Sequence, residues 1–183
     1  GTPTNAKKYT LAVWFKLSKT RNNEILSYNY GNGQRGIQIA VRNNDSTLRV
    51  NDFTAGVGDV YDVRTNRVFK DFSAWYHLVV AYDSTQGTAA NRVKIYVNGV
   101  QESSFAVSSY PSQDADSFIS ATPNNNKGFI LGASYNSSGS IDAGNYFSGY
   151  MSQYIFVDGT AYAASNFGST NANGVWVPIT TPS

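Results

Sequence analysis

The sequence predicts an all-β protein, folded as an antiparallel two-sheet β-sandwich. Three observations point there. The composition favours strand and turn: the 183 residues include 13 Tyr, 10 Phe and 16 Gly but only one Met, and 14% are charged, so strong helix formers are scarce. Several runs alternate apolar and polar residues with a period of two, most clearly "YTLAVWFKL". Turn-forming clusters such as "GNG", "NNDS" and "VNGV" recur at the spacing of roughly a dozen short strands.

The elements follow in order. In "YTLAVWFKL", Tyr9, Leu11, Val13, Phe15 and Leu17 point to one side and Thr10, Ala12, Trp14 and Lys16 to the other. "KTRNN" is a turn, and "EILSYNY" a second strand ended by "GNG". "RGIQIAVR" sets Ile37, Ile39 and Val41 on one face; after "NNDS", Leu48 and Val50 face the same interior across a hairpin. "NDFTAGVGDVYDVRTNRVF" reads as one or two short strands around an irregular loop. "WYHLVVAYD" is apolar on both faces, as a central strand covered on each side would be. In "RVKIYVNGV", Val93, Ile95 and Val97 point inward, and Asn98-Gly99 tolerates the positive φ of a type I′ turn. Val100 to Phe105 is the expected return strand. Ser108 to Lys127 is a long polar loop with a short strand at "SFIS". "GFILGA" and "YFSGYMSQYIFVDG" are two further strands, and Gly149 in the second marks a bulge or a close backbone contact. "TAYAASNFG" forms a short helical turn, and "GVWVP" closes the chain as an edge strand stopped by Pro178. Trp14 and Trp75 anchor either the core or the outer face of one sheet.

Composition narrows the function as well. Cysteine is absent, so no disulfide or thiolate metal site can form. The net charge of +2 is scattered, with small basic clusters only at "NAKK" and "KLSKTR", whereas a nucleic-acid binder concentrates charge on one face. No apolar run is long enough to span a bilayer, and "GTPTNAKKYT" lacks the apolar segment of a signal peptide. A single domain over 1–183 is expected, excised from or part of a longer chain.

"AWYHLVVAYDSTQGTAANRVKIYVNGVQ" resembles the W-x-H-x-V, loop, V-x-I/L-Y-V-N/D-G segment of laminin G-like and concanavalin A-like domains. "YFSGYMSQYIFVDGTAYAASNFG" resembles their closing pattern. Together with "YPSQDAD" and "GVWVP", these motifs are similar to laminin G-like jelly-roll domains of bacteriophage virion proteins such as tail fibres. The resemblance runs from about Tyr9 to Pro178. It implies a concanavalin A-like jelly roll in a virion or extracellular setting. Relatives often carry an acidic residue where this chain has Gln153, so no carboxylate role passes to that position.

The only histidine is His77. A catalytic histidine needs a nucleophile or acid beside it in a cleft; the signature of a triad is absent, and the resemblance makes His77 the packing histidine of its strand. Glycosidases need two carboxylates across a cleft, which this fold supplies as E-x-D-x-E on one strand. That pattern does not occur. The glutamates are Glu24, beside a turn, and Glu102, after the Asn-Gly hairpin; Asp59 and Asp62 are oddly spaced, hence on opposite faces of a strand; Asp114 and Asp116 lie in a polar loop. The chain therefore reads as no enzyme. "NNDS", "DAD" and "SIDAGN" offer the oxygens calcium prefers without an ordered calcium loop. Calcium stays open, no ligands are assigned, and no cofactor is required. "GNGQRG" precedes a strand rather than a helix, so it is a turn and not a phosphate cradle.

What remains is loop chemistry. Tyr28, Tyr30, Tyr61, Tyr110, Tyr135 and Tyr146 sit at or near loops among amides and carboxylates. Tyrosine rings cover the C–H faces of sugars, and planar amides and carboxylates satisfy their hydroxyls. The loops "YNYGNGQR", "TAGVGDVYDVR" and "ASYNSSGSIDAGNY" are the densest, giving Tyr30, Asn32, Arg35, Tyr61, Asp62, Tyr135, Asn136, Asp142 and Asn145 as ligand-binding candidates. The expectation is a non-catalytic, lectin-like domain recognising a cell-surface glycan or polysaccharide from a phage tail fibre or spike. A structural virion module contacting other virion proteins, with a homotrimer as one arrangement, is the alternative; a glycoside hydrolase or lyase is the third reading.

Overall fold

The computed structural model describes residues 4–29, 35–54, 57–120, 129–135 and 140–179. Strand β1 (Lys8–Leu17) lies between β13 (Gly149–Asp158) and β6 (Tyr76–Asp83), and β7 (Val93–Val97) and β8 (Val100–Gln101) complete a five-stranded sheet in the order β13-β1-β6-β7-β8. The second sheet has six strands, in the order β10 (Phe129–Leu131), β2 (Asn23–Asn29), β3 (Arg35–Val41), β4 (Thr47–Thr54), β5 (Gly58–Val68) and β9 (Phe105–Ser109). Two small hairpins pair β11 (Ala133–Tyr135) with β12 (Ile141–Tyr146), and β14 (Gly168–Thr170) with β15 (Trp176–Pro178). All pairings are antiparallel.

The core forms where the alternation places it. Tyr9, Leu11, Val13, Phe15 and Leu17 are buried together with Ile37, Ile39, Val41, Leu48, Val50 and Val63 from the other sheet. β6 is covered on both sides. Leu78, Val80 and Tyr82 enter this core, while Val79 joins Ala12, Ala164 and Phe167 in a second cluster on the outer face of the five-stranded sheet. The segment after β13 supplies that cover. Thr10 ties it down: its Oγ1 donates to the Thr160 carbonyl at 2.7 Å and accepts from the Tyr162 amide at 2.7 Å.

One inward position carries an acid. Asp52 on β4 accepts from Ser117 Oγ (3.1 Å) and the Phe118 amide (3.0 Å), near the buried rings of Tyr9, Tyr61 and Tyr82. Burial raises its carboxyl to about 7.

The structure corrects several expectations. The segment read as broken short strands contains β5, a single strand of eleven residues. The return strand stops at Gln101: Glu102 turns to Arg67 (2.5 Å), and the chain crosses to pair β9 with β5 in the other sheet. "SFIS" holds a 3-10 turn over Phe118–Ser120, whose start is capped by the Asp52 carboxylate. "GFILGA" is divided at Gly132, whose φ of 73° ends β10 and begins a hairpin. Tyr28 is in the core rather than at a loop. Gly149 does mark a close contact, since a Cβ there would lie 1.9 Å from the Lys16 carbonyl oxygen.

Asn98 and Gly99 adopt φ of 48° and 81°, as the type I′ hairpin needs. Asn98 Oδ1 also accepts from the His77 amide at 2.8 Å. A Cβ on Gly99 would stand 2.4 Å from the Trp176 ring. Gly99→Ala is therefore expected to cost about 3 kcal/mol through backbone strain and steric displacement together. Urea unfolding checks this, and an unchanged midpoint would remove both the turn and the close packing of Gly99 on Trp176.

Candidate functional site

The core of the six-stranded sheet determines what its outer face carries. With Ile37 and Ile39, Leu48 and Val50, and Tyr61 and Val63 turned inward, the residues between them must turn outward. The register aligns Ser27, Gln38, Asn51, Asp62 and Ser109 in one row and Glu24, Ala40, Arg49 and Arg64 in the next. A bulge in β2 between Glu24 and Leu26 absorbs Ile25 and lets Glu24 join the face. This polar surface is not an ordinary solvated one. Glu24 and Asn51 are each 1% exposed and Asp62 is 5% exposed.

The side chains form a bonded floor. Arg49 reaches Asp62 through Nε (3.1 Å) and Nη2 (3.1 Å), and Asp59 through Nη2 (2.5 Å). Arg64 grips the same Asp62 through Nε (3.1 Å) and Nη2 (2.5 Å). Asn51 Nδ2 donates to Asp59 (2.9 Å), and Gln38 Nε2 donates to Glu24 Oε1 (2.6 Å). Burial alone would raise Asp62, but hydrogen bonds from Arg64 and Arg49 hold its carboxyl below the usual range. Glu24 lacks a bonded cation: burial pushes it to about 8 against the pull of the Gln38 hydrogen bond, with a lesser push from nearby Asp142 and a lesser pull from Arg49. At neutral pH Glu24 is thus a protonated acid and Asp62 a carboxylate. Glu24 Oε2 and Asn51 Oδ1 are buried without a hydrogen-bond partner among the described residues, a state that native structures rarely leave without a purpose.

The sequence-predicted residues fall into several groups. Asp62 belongs to the floor. Asp142 and Asn145 lie together on β12, joined at 2.6 Å, and Asn22 donates to Asn145 at 2.9 Å; the charge of Asp142 is felt at Glu24, so this hairpin flanks the floor. Tyr135 sits half-buried on the paired strand β11. Tyr61 is a correction: being next to an outward residue in a strand it must point inward, and at 1% exposure it packs in the core, out of a ligand's reach. Arg35 begins β3 opposite Thr54. Tyr30, Asn32 and Asn136 lie outside the described residues. The expectation that Asp59 and Asp62 face apart is also corrected. The register passes from Asp52↔Tyr61 to Phe53↔Asp59, so Val60 is an extra bulged residue and both carboxylates reach Arg49.

Sequence reasoning overlooked Glu24, Gln38, Arg49, Asn51 and Arg64. Alternation sets Gln38, Arg49, Asn51 and Arg64 at outward strand positions, but only strand pairing shows that they converge, and Glu24 joins them only through the bulge.

Glu24 and Asp62 do not have the spacing of a glycosidase pair. Glu24 on β2 and Asp62 on β5 are three strands apart, or about 14 Å of backbone at the usual strand spacing, beyond the roughly 5–9.5 Å between paired glycosidase carboxyls. His77 does not supply the chemistry either. It is buried, stacks on Trp14 (4.8 Å) and Trp176 (5.9 Å), and accepts Trp176 Nε1–H on Nδ1 at 3.0 Å. Burial lowers its pKa to about 4, which keeps it neutral. Among the described residues no three or more His, Asp or Glu are grouped to hold a metal. The calcium-type oxygens noted in the sequence stay apart: Asp45 turns to Thr47, Asp116 to Lys7, and Asp142 to Gly144 and Asn145. Among the described residues no helix is long and apolar enough to cross a membrane.

The family model described as the concanavalin A-like lectin/glucanases superfamily matches residues 2–164. No curated protein matches in sequence. Among solved structures, the heptameric SAP-like pentraxin of Limulus polyphemus is similar at 15% identity and a TM-score of 0.53, over 85% of this chain and 65% of that one. Domain 4 of AbnA, an extracellular GH43 arabinanase of Geobacillus stearothermophilus solved with arabinotriose, is similar at 16% identity and 0.59, over 85% and 63%. The chain thus spans just under two thirds of both. The CBM40 of Ruminococcus gnavus IT-sialidase is similar at 17% identity and 0.57, over 81% and 76%. These likenesses are of fold.

Because its folded-state value lies near 8 rather than 4.5, Glu24 keeps a proton in the folded protein that the unfolded chain has lost across that window. Stability must fall as pH rises through it. Glu24→Gln should remove up to about 1 kcal/mol per pH unit of that slope, read from urea midpoints between pH 5 and 8. An unaltered slope would mean that Glu24 is ionised in the fold.

Proposed function

The chain belongs to the concanavalin A-like lectin/glucanases superfamily, and from that premise we propose that it is a non-catalytic glycan-binding domain. The observation that carries this reading is the bonded polar floor on the outer face of the six-stranded sheet. Sugar hydroxyls both donate and accept, and a surface that matches them needs both kinds of group in fixed positions. At the surface Arg49, Arg64 and Gln38 supply donors and Asp59 supplies an acceptor, while the buried Asp62, Asn51 and Glu24 hold them from beneath. The ion pairs among them hold the side chains in place before a ligand arrives, which lowers the ordering cost of binding. The ligands recorded for two fold neighbours support the reading: arabinotriose with the arabinanase domain, and α2,3-sialyllactose with the sialidase module.

Two arginines fix Asp62 as a carboxylate, and the protonated Glu24 stands too far from it to act as its acid partner. Recognition without bond cleavage is what this arrangement can do. The resemblance of the closing motifs adds a setting to the proposal: an extracellular or virion-borne protein, of which a phage tail fibre meeting a host-surface polysaccharide is the specific case.

The test is a glycan array followed by calorimetry on the hits. Asp59→Ala and Gln38→Ala should weaken binding at least tenfold while the thermal midpoint stays within a few degrees, and no new reducing ends should appear on incubation. Full affinity in both variants, or sustained release of reducing ends, would contradict the proposal.

A further inference from the structure

The outer face of the other sheet carries a second recess. The chain has three tryptophans, and all of them, Trp14, Trp75 and Trp176, line one open groove of about 380 Å³ with Ser152, Gln153, Val177 and Pro178. Trp14 comes from β1, Trp75 from the residue before β6, and Trp176 from the closing hairpin.

The aromatic wall is rigid. Trp14 and Trp176 stack on the same His77, and Trp176 donates to its Nδ1. The Trp176 ring fills the space where Cβ atoms of Gly99 and Gly168 would stand, at 2.4 and 2.5 Å. Trp75 is 43% exposed. The β13 side of the groove, beside Trp14, is polar and strained. The β1–β13 register passes from Ala12↔Ile155 to Trp14↔Ser152, leaving an extra residue on β13, and Gln153 takes a φ of 47°. Such a left-handed non-glycine residue is unfavourable and clusters at functional sites. Gln153 and Ser152 are exposed, and among the described residues no charged one lines the groove.

We propose that this groove is a second carbohydrate site, on the face opposite the polar floor, that takes one neutral pyranose residue of a polysaccharide. The C–H face of the ring lies on the indoles of Trp75 and Trp14, and its hydroxyls meet the Gln153 amide and the Ser152 hydroxyl. An uncharged ligand fits an uncharged lining, and an amphipathic ring fits one apolar and one polar wall. The volume is that of a small-molecule site, and seven lining residues fall well short of the roughly 20–30 per side of a stable protein interface. The proposal rests on the glycan-binding reading and adds a site that the floor does not explain.

Because every tryptophan lines the groove, intrinsic emission reads it directly. Maltohexaose, cellohexaose and laminarihexaose are titrated in turn against the unmodified protein, Trp75→Ala, Gln153→Gly and the floor variant Asp59→Ala. The expected result is a saturable emission change with at least one of them, weakened tenfold or more by Trp75→Ala and also weakened by Gln153→Gly, whose thermal midpoint should rise as strain is relieved. Asp59→Ala should leave the titration unchanged. No emission change with any of the three, or one whose midpoint neither groove variant shifts, overturns the groove assignment. Array binding that Asp59→Ala abolishes would still stand in that event, so the failure of the groove and the failure of the floor are told apart.

Discussion

Strands β2 to β5 share one hydrogen-bond register, and the rest of the molecule depends on it. Ile39 lies beside Val50 and Val50 beside Val63 on the inner face. The same pairing sets Gln38 beside Asn51 and Asn51 beside Asp62 on the outer face. A slip of one residue would drive Arg49, Asp62 and Arg64 into the hydrocarbon interior, where unpaired charges cost several kcal/mol each. Core packing thus positions most of the floor. Two of the bulges, at Ile25 and Val60, make the adjustments: each shifts one acidic residue onto a face that strict alternation would have denied it.

Burial tunes the groups that result. Asp62 and Glu24 share a face but differ in charge, because arginines surround the first and the second is desolvated with one amide for company. At the other sheet, desolvation keeps His77 neutral, so that its Nδ1 can accept the indole N–H of Trp176. That bond, with the Thr10 bonds to residues 160 and 162, holds the closing segment on the outer face. The same segment covers Val79 and Ala12 and brings the third tryptophan to the groove.

The sequence made the fold legible wherever one periodicity ruled. The inward set of β1, the facing residues of β3 and β4, the double-sided burial of β6 and the Asn98-Gly99 turn all follow from alternation and turn chemistry. Pairing between distant segments was not legible. Local pattern does not show that the chain after Gln101 leaves its sheet, because the reason is a distant partner, β5. The site was harder still. Loop composition named Asp62, Asp142 and Asn145, which the structure sets in or beside the polar face, but Tyr61 was misassigned by counting it with a loop when strand alternation turns it inward. Arg49, Asn51 and Arg64 become visible only once the strands are paired, since they converge across the sheet and not along the chain. The bulge at Val60 defeated the spacing argument for Asp59, and no local residue type announced it.

The central claim is that the polar floor meets a ligand's hydroxyls directly. Side-chain NMR of the protein with and without an array-selected glycan tests it most directly, through the Nε–Hε signals of Arg49 and Arg64 and the amide NH2 signals of Gln38 and Asn51. The account predicts that these four resonances shift saturably together as glycan is added. Saturable shifts that leave all four unmoved would place recognition elsewhere on the molecule and contradict it.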